Sequence, residues 1–296
     1  MKQVNFVKLF CFGFGQVARY FVKKLLLEKK NFKLITTNTK KTLDHKFQNI
    51  KFKSYFFSNF TYDKKILSEL ENATHILISI PPKNHKDLVL ENFKKILSQQ
   101  KKINWIGYLS STSVYGNHYG KYVSEDSRLL TNTKVGINRI IAENEWLRLF
   151  KFYDLPVRVF RLSGIYSNET NVLERIIRND LNILKFKDQY ISRIHVEDIA
   201  NIIFKSLKFS KPGEIYNVSD NKPSKYSDVV KYGCKLLNVN YKFLINKKNF
   251  KSSNVNVFFK DSKKVSNKKI IFNFKVKLKY PSYKEGLNSI FNNFYN

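Results

Sequence analysis

The sequence predicts an α/β protein with a doubly wound parallel sheet and a smaller C-terminal lobe. Three observations predict it. The chain opens with an apolar run, a glycine-bearing turn and a helical pattern, "VKLFCFGFGQVARYFVKKLLL". Further apolar runs then alternate with loops and helical stretches, the signature of parallel strands joined by crossover helices. Past Leu162 that rhythm breaks, and it returns only around residues 195 to 220.

The elements follow in order. "VKLFCF" is the first strand and "QVARYFVKKLLLEKK", with apolar residues at helical spacing, the first helix. "FKLITTN" and "IKFKSYFF" supply the next strands, and "THILISI" a fourth that Pro81 and Pro82 end. A helical stretch from about Lys83 to Gln99 leads to the strand "INWIGYLSS"; a polar loop, an amphipathic helix from about Thr133 to Phe150 and the strand "PVRVFRL" complete the series. Beyond it come a helical segment "NVLERIIRND", a helix near "HVEDIANIIFKSL", a strand "GEIYNVSD", a helix "YSDVVKYGCKLL" and an irregular, lysine-rich tail. No internal repeat or low-complexity linker divides them.

Composition narrows the function. At 296 residues and 43% hydrophobic, the chain can bury a sizeable core. No apolar run approaches the roughly 18 residues that cross a bilayer, and the start "MKQVNFVKLF" lacks a secretory leader's apolar stretch. Cys11 and Cys234 lie in apolar patterns without metal-ligand spacing and read as buried thiols. A cytoplasmic protein with neither metal nor membrane is expected. The net charge of +31 invites a nucleic-acid reading, but lysines outnumber arginines about five to one and are spread from end to end. A specific reader would cluster arginine on one face, so no specific nucleic-acid partner is expected.

The motif with the clearest chemistry is Gly13-x-Gly15-x-x-Ala18, between the first strand and the first helix. In that context it fits the dinucleotide fingerprint of a Rossmann unit. Gly13 permits the tight turn, Gly15 lets the backbone approach a pyrophosphate, and Ala18 lets helix and strand pack closely. Gln16 and Val17 open the helix, whose N–H groups and dipole favour an anion. At the end of the second strand, where an acidic residue would bind the ribose of NAD, the chain has Thr37, Asn38, Thr39, Lys40 and Lys41. Hydroxyl, amide and ammonium groups tolerate a 2′-phosphate, so NADP is favoured over NAD. Ser79 and Pro81 end the fourth strand on the same carboxyl edge.

At "YLSSTSVYGNHYGKYVSEDS", "AENEWL", "VRVFRLSGIY", "RIHVEDIA" and "GEIYNVSDNKPS", together with "GFGQVA" and "HILISIPP", the chain resembles the extended and atypical short-chain dehydrogenase/reductase superfamily, in the nucleoside-diphosphate-sugar epimerase, or NAD-dependent epimerase/dehydratase, branch. The resemblance implies an NAD(P)-binding Rossmann domain over residues 1–162 with a return segment at 195–220, and a substrate-binding lobe over 163–194 and 221–296. It puts Ser111 at the catalytic serine position, with Ser110 and Gly164 beside the cofactor. The family's Tyr-x-x-x-Lys pair is missing: counting back from Glu143, Val135 takes the tyrosine place and Arg139 the lysine place. Arg139 could hold ribose hydroxyls but cannot donate a proton at neutral pH.

Two readings follow. Either Tyr115, or Tyr119 or Tyr122, carries the proton, or the protein binds the cofactor without turnover, as a sensor or partner-binding protein. Arg161 and Arg193 are expected to bind a small anionic substrate such as a nucleotide sugar, since guanidinium groups grip phosphate in pairs; Arg161 could equally be a buried ion-pair partner. His195 either joins them or, with Asp198, opens a helix. A homodimer is the expected assembly.

Overall fold

The computed structural model describes residues 6–178, 189–241 and 261–294. Its strands are β1 (Val7–Phe12), β2 (Phe32–Asn38), β3 (Leu43–Phe47), β4 (Ile50–Ser58), β5 (Thr61–Tyr62), β6 (His75–Ile78), β7 (Trp105–Ser111), β8 (Tyr122–Val123), β9 (Val157–Leu162), β10 (Gly164–Tyr166), β11 (Tyr190–Ile191), β12 (Arg193–His195), β13 (Ile215–Val218), β14 (Ser224–Lys225) and β15 (Lys264–Val265). The helices are α1 (Gln16–Leu27), α2 (Lys65–Asn72), α3 (Leu88–Ser98), α4 (Lys134–Tyr153), α5 (Val172–Ile177), α6 (Val196–Phe209), α7 (Tyr226–Leu236), α8 (Lys268–Phe274) and α9 (Tyr283–Phe294).

The main sheet runs β13-β9-β7-β6-β1-β2-β4-β3, with β5 paired to β4. The pairs β1–β2, β1–β6, β2–β4 and β6–β7 are parallel. This is the doubly wound α/β sheet that the alternation of apolar runs predicts. The strand order turns at β1, which lies between β2 and β6, and the crevice at the carboxyl ends of the strands beside such a reversal is where ligands of these sheets bind.

Two units divide the chain: one holds the residues up to Ser111, Ile137–Arg161 and Ala200–Tyr216, and the other Thr112–Gly136, Leu162–Ile199 and the residues from Asn217 on. The polar loop after β7 thus belongs to the second unit, whereas the sequence reading kept it in the Rossmann domain.

In the first unit, Phe12, Phe57 and Phe93 meet edge to face or tilted at 5.3 to 5.8 Å between ring centres, and Tyr108 stacks on Trp146. Isoleucines of β6 and β7, valines of β9 and leucines of α2 and α3 fill the space around them, so the β-branched runs that predicted strands also form the core. Two elements here escape the sequence reading. Between β2 and β4 the chain makes an antiparallel edge strand, β3, whose "LDHKF" is too polar to read as a strand. The short helix α2 then covers part of the sheet with Ile66 and Leu70. The helix expected from Lys83 starts only at Leu88, where Asp87 accepts the N–H groups of Val89 and Leu90 and the indole N–H of Trp146. Burial pushes the Asp87 carboxyl up to about 6.

The second unit has short pairs, β10 with β12, β11 with β14 and β15 with β8, and helices whose apolar faces meet around Leu173, Val229, Leu287 and Ile290. The expected irregular tail is corrected over its described part: α8 and α9 are helices. Helix α9 has a capping arrangement, with Ser282 Oγ accepting the Lys284 N–H and bonding Glu285 Oε2 at 2.5 Å. Asn179 and Asp180, predicted to end a helix, lie outside the described residues, as does the stretch 242–260.

Asp198 is buried and its carboxylate accepts the N–H groups of Lys279 and Tyr280 at 2.7 and 2.9 Å. His195 is buried between the rings of Tyr166 and Tyr280. Its Nδ1 accepts the Glu197 N–H at 3.3 Å, so His195 and Asp198 sit at the opening of α6 as the structural alternative has it. Burial pushes the His195 imidazole down from 6.5 to about 4. The sign follows from linkage: the unfolded chain binds a proton below 6.5 that the folded chain refuses until about 4, so this residue's contribution falls as pH drops through that window, by up to about 3 kcal/mol. His195→Asn keeps an acceptor for Glu197 and is expected to flatten urea stability between pH 6.5 and 4 relative to wild type. Parallel pH profiles would overturn this.

Candidate dinucleotide-binding site

The site is built from the turn after β1. Gly13 has φ +81°, a region that favours glycine, and its N–H donates to Thr37 Oγ1 at 2.9 Å. A Cβ placed there would lie 2.9 Å from Ser79 Oγ and 3.3 Å from Ile80 Cγ1, so the turn runs close against the end of β6. Ser79 Oγ donates in turn to the Phe12 carbonyl at 2.9 Å.

Gly15 differs in kind. Its backbone is ordinary, φ −76° and ψ −171°, and a Cβ added to it would meet nothing within 4 Å. It is the N-cap of α1, no side chain caps the helix there, and the first turn carries no acidic residue. Ala18 is fully buried beneath. An exposed, uncapped helix start behind an open glycine leaves N–H donors and a positive dipole end for an anion. A diphosphate fits there, and a side chain on Gly15 would fill the space.

At the end of β2, Asn38 organises the turn: its Oδ1 accepts the N–H groups of Lys40 and Lys41, and its Nδ2 donates to the Lys41 carbonyl and to Ser54 Oγ. Asn38 and Thr37 are thereby spent on the fold. Both were expected to face the cofactor; the groups they hold out are Thr39, Lys40 and Lys41, all exposed. Ser79 is likewise a tie within the turn, and Pro81 is exposed beside it.

At the end of β7 lies a buried polar cluster. Ser110 Oγ donates to Glu143 Oε1 at 2.5 Å, and Arg161 donates through Nε to both Glu143 oxygens and through Nη2 to Oε2 at 2.7 Å. Arg161 is 2% exposed. Buried and paired with Glu143, it has the ion pair that the sequence offered as the alternative to gripping substrate. Ser110, expected beside the cofactor, is 3% exposed with its hydroxyl bonded to Glu143. Ser111, the next residue, is half-buried. The Arg139 guanidinium, also half-buried, donates to the Leu109 carbonyl.

Gly13, Gly15, Gln16, Val17, Asn38, Thr39, Lys40, Ser79, Pro81, Ser110, Ser111, Arg139 and Arg161 all belong to the first unit, while Tyr115, Gly164 and Arg193 belong to the second. The second-unit residues read as follows. Tyr115 is fully buried and its hydroxyl donates to Asn217 Oδ1 at 2.7 Å. That hydroxyl, expected as one of the proton carriers, ties the loop to Asn217 of β13. Tyr119 and Tyr122 are 84% and 66% exposed. Gly164 is exposed and pairs with Arg193 across β10 and β12. The Arg193 guanidinium is half-buried and donates through Nη1 to the Ile191 and Ser224 carbonyls. Among the described residues no cluster of His, Cys, Asp or Glu could hold a metal, and no helix is long and apolar enough to cross a membrane.

No family model matches the chain, and no curated protein matches it. Solved structures do. A functionally unknown conserved protein from Silicibacter pomeroyi DSS is similar with a TM-score of 0.77 at 28% identity, over 97% of this chain and 99% of its own. The dTDP-glucose 4,6-dehydratase of Bacillus anthracis str. Ames, in complex with NAD, gives 0.74 at 17% identity over 97% and 96%. The UDP-glucuronic acid 4-epimerase of Bacillus cereus, in complex with UDP-glucuronic acid and NAD, gives 0.73 at 16% over 97% and 98%. The chain shares the fold of these proteins over nearly its full length.

Proposed function

We propose that this protein is an NAD(P)-dependent oxidoreductase or epimerase acting on a small anionic substrate of the nucleotide-sugar class. The open space over Gly15, in front of the uncapped start of α1, carries the reading. A nicotinamide dinucleotide held there supplies a hydride acceptor or donor. The chain's own residues do the holding. Gly13 and Gly15 bring main chain to the diphosphate, and the first turn of α1 donates to it. In this reading Arg139, whose guanidinium donates to the Leu109 carbonyl, holds ribose hydroxyls, and Ser111 at the end of β7 meets the reacting carbon.

The turn fixed by Asn38 favours NADP. It presents Lys40 and Lys41 and has no carboxylate to repel a 2′-phosphate. Lys40→Glu with Lys41→Glu is expected to lower the NADPH:NADH affinity ratio by about tenfold, roughly 1.4 kcal/mol, in fluorescence titrations at fixed salt. An unchanged ratio would remove the NADP preference and leave the site.

The test of the function is direct. The protein should bind NADPH or NADH at micromolar concentrations and catalyse hydride exchange with UDP-glucuronic acid or dTDP-glucose. Val135 in the tyrosine place favours a second reading, a sensor that binds nucleotide without turnover. Binding without turnover of any sugar nucleotide would select it, and no binding at all would end both.

A further inference from the structure

Between Gly13 and Gly15 the turn has one side chain, that of Phe14. Two glycines give such a turn little stiffness of its own, because glycine loses more conformational freedom on ordering than any other residue. A diphosphate held by main chain needs those groups already in place, since whatever order the ligand must impose is subtracted from its affinity.

The sheet edge holds the middle of the turn. The half-buried Phe14 ring meets the Phe52 ring at 5.1 Å between centres, the Phe47 ring at 5.5 Å and the His45 ring at 6.4 Å, each edge to face. Phe52 lies on β4, and His45 and Phe47 on the antiparallel edge strand β3. His45 stands directly opposite Phe52 in the register, and their rings stack 5.2 Å apart at 13° from parallel. Leu43, His45 and Phe47 fall on one face of β3, and the charged Asp44 and Lys46 on the other. The strand that is too polar to be read from its sequence thus carries, on one face, rings that receive Phe14. Aromatic pairs of this geometry are favourable beyond the area they bury.

Each residue of the turn has its own support. The Gly13 N–H is bonded to Thr37 Oγ1 of β2, and the chain there runs close against Ser79. Phe14 is seated on the β3–β4 hairpin. Gly15 caps α1 and faces space in which an added Cβ meets no atom within 4 Å. The one side chain of the turn is therefore committed to the sheet, and the ground over Gly15 stays bare.

We infer that Phe14 is a positioning residue for the dinucleotide. Its ring, seated on Phe47 and Phe52, fixes the main chain between the glycines, so that Gly15 and the start of α1 are preset for the diphosphate. Strand β3 is the brace. The inference rests on the proposed NAD(P)-dependent reading, and no proton or hydride passes through Phe14.

The test uses the full chain and three variants: Phe14→Ala, Phe47→Ala and the two together. Each is titrated with NADPH and with NADH by fluorescence, and unfolded in urea. Phe14→Ala should raise both dissociation constants about tenfold, because the ligand must then order the turn. Their ratio should stay within about twofold of wild type, since the two cofactors share the diphosphate and differ at the ribose. Phe47→Ala, a change on the edge strand, should raise both constants about threefold. The double variant should bind no more weakly than Phe14→Ala, because residues that act as one unit are not additive. A ring that served stability alone would lower the urea midpoint and leave the folded protein's dissociation constants unchanged. If Phe14→Ala does not fold, Phe47→Ala decides, with unchanged affinity as the outcome against. Unchanged constants in the folded variants, a shifted NADPH:NADH ratio, or effects of the two substitutions that add, overturn this inference and leave the proposed function standing. A wild-type protein that binds neither NADPH nor NADH overturns both.

Discussion

Gly15→Val should raise the dissociation constant for NADPH and NADH at least about 100-fold, about 2.7 kcal/mol, while the protein stays folded. The two glycines of the turn make this a sharp test, because they are glycine for different reasons. Gly15 has backbone angles that valine adopts readily, and the space its side chain would enter holds no protein atom within 4 Å. The structural cost is confined to a poorer N-cap, about 1 kcal/mol. What valine would displace is the ligand, because its methyl groups stand between the diphosphate and the N–H groups of the first turn of α1. Gly13→Ala should behave in the opposite way. Its φ of +81° costs an L-residue about 1–2 kcal/mol, and the new methyl would press on Ser79 Oγ at 2.9 Å, so the melting temperature falls first and binding follows it. Calorimetry with fluorescence titration reads both effects. Unimpaired nucleotide binding by a folded Gly15→Val protein would remove the cradle and the proposed function with it.

The difference between these glycines also marks how far the sequence could be read. The strand, turn and helix around Gly13 and Gly15 are local: an apolar run, a turn that only glycine fits and a 3.6-residue pattern lie within about twenty residues, and each constrains its neighbours. Helix α4 and strands β6, β7 and β9 were legible for the same reason. The edge strand β3 was not, because its stability comes from pairing with β4 and its side chains remain polar. Helix α9 carried its signals, Ser282 with Glu285 and apolar Tyr283, Leu287 and Ile290, in a region whose lysine density suggested no order. In the site, the residue types were legible and their partners were not. A serine at a strand end looks the same whether it faces a ligand or, like Ser110, a carboxylate 33 residues away. Tyr115 finds Asn217 at a separation of 102 residues.

Glu143→Ala should cost about 3–5 kcal/mol of stability, the largest effect of any single change considered for this fold. Glu143 is 2% exposed and answers three donors at once: Arg161 through Nε and Nη2, and the Ser110 hydroxyl. Its removal takes the carboxylate away from a guanidinium that is 2% exposed, so a buried charge loses the partner that offsets its desolvation. The attraction between the pair is mostly offset by the desolvation of both ions, so the loss measures the orphaned cation rather than the worth of the bond. This yields a second expectation: Glu143→Leu with Arg161→Met, which removes both charges at similar volume, should recover most of the stability, with a urea midpoint well above that of Glu143→Ala. The two variants also separate fold from site. If the cluster serves only to seat β7 against α4 and β9, the double variant binds NADPH like wild type. If Ser110, held by Glu143, sets the position of Ser111 beside it, nucleotide binding survives in the double variant while turnover does not. A Glu143→Ala protein less than about 1 kcal/mol weaker than wild type would mean that Arg161 reaches solvent, and would return it to the residues available for substrate.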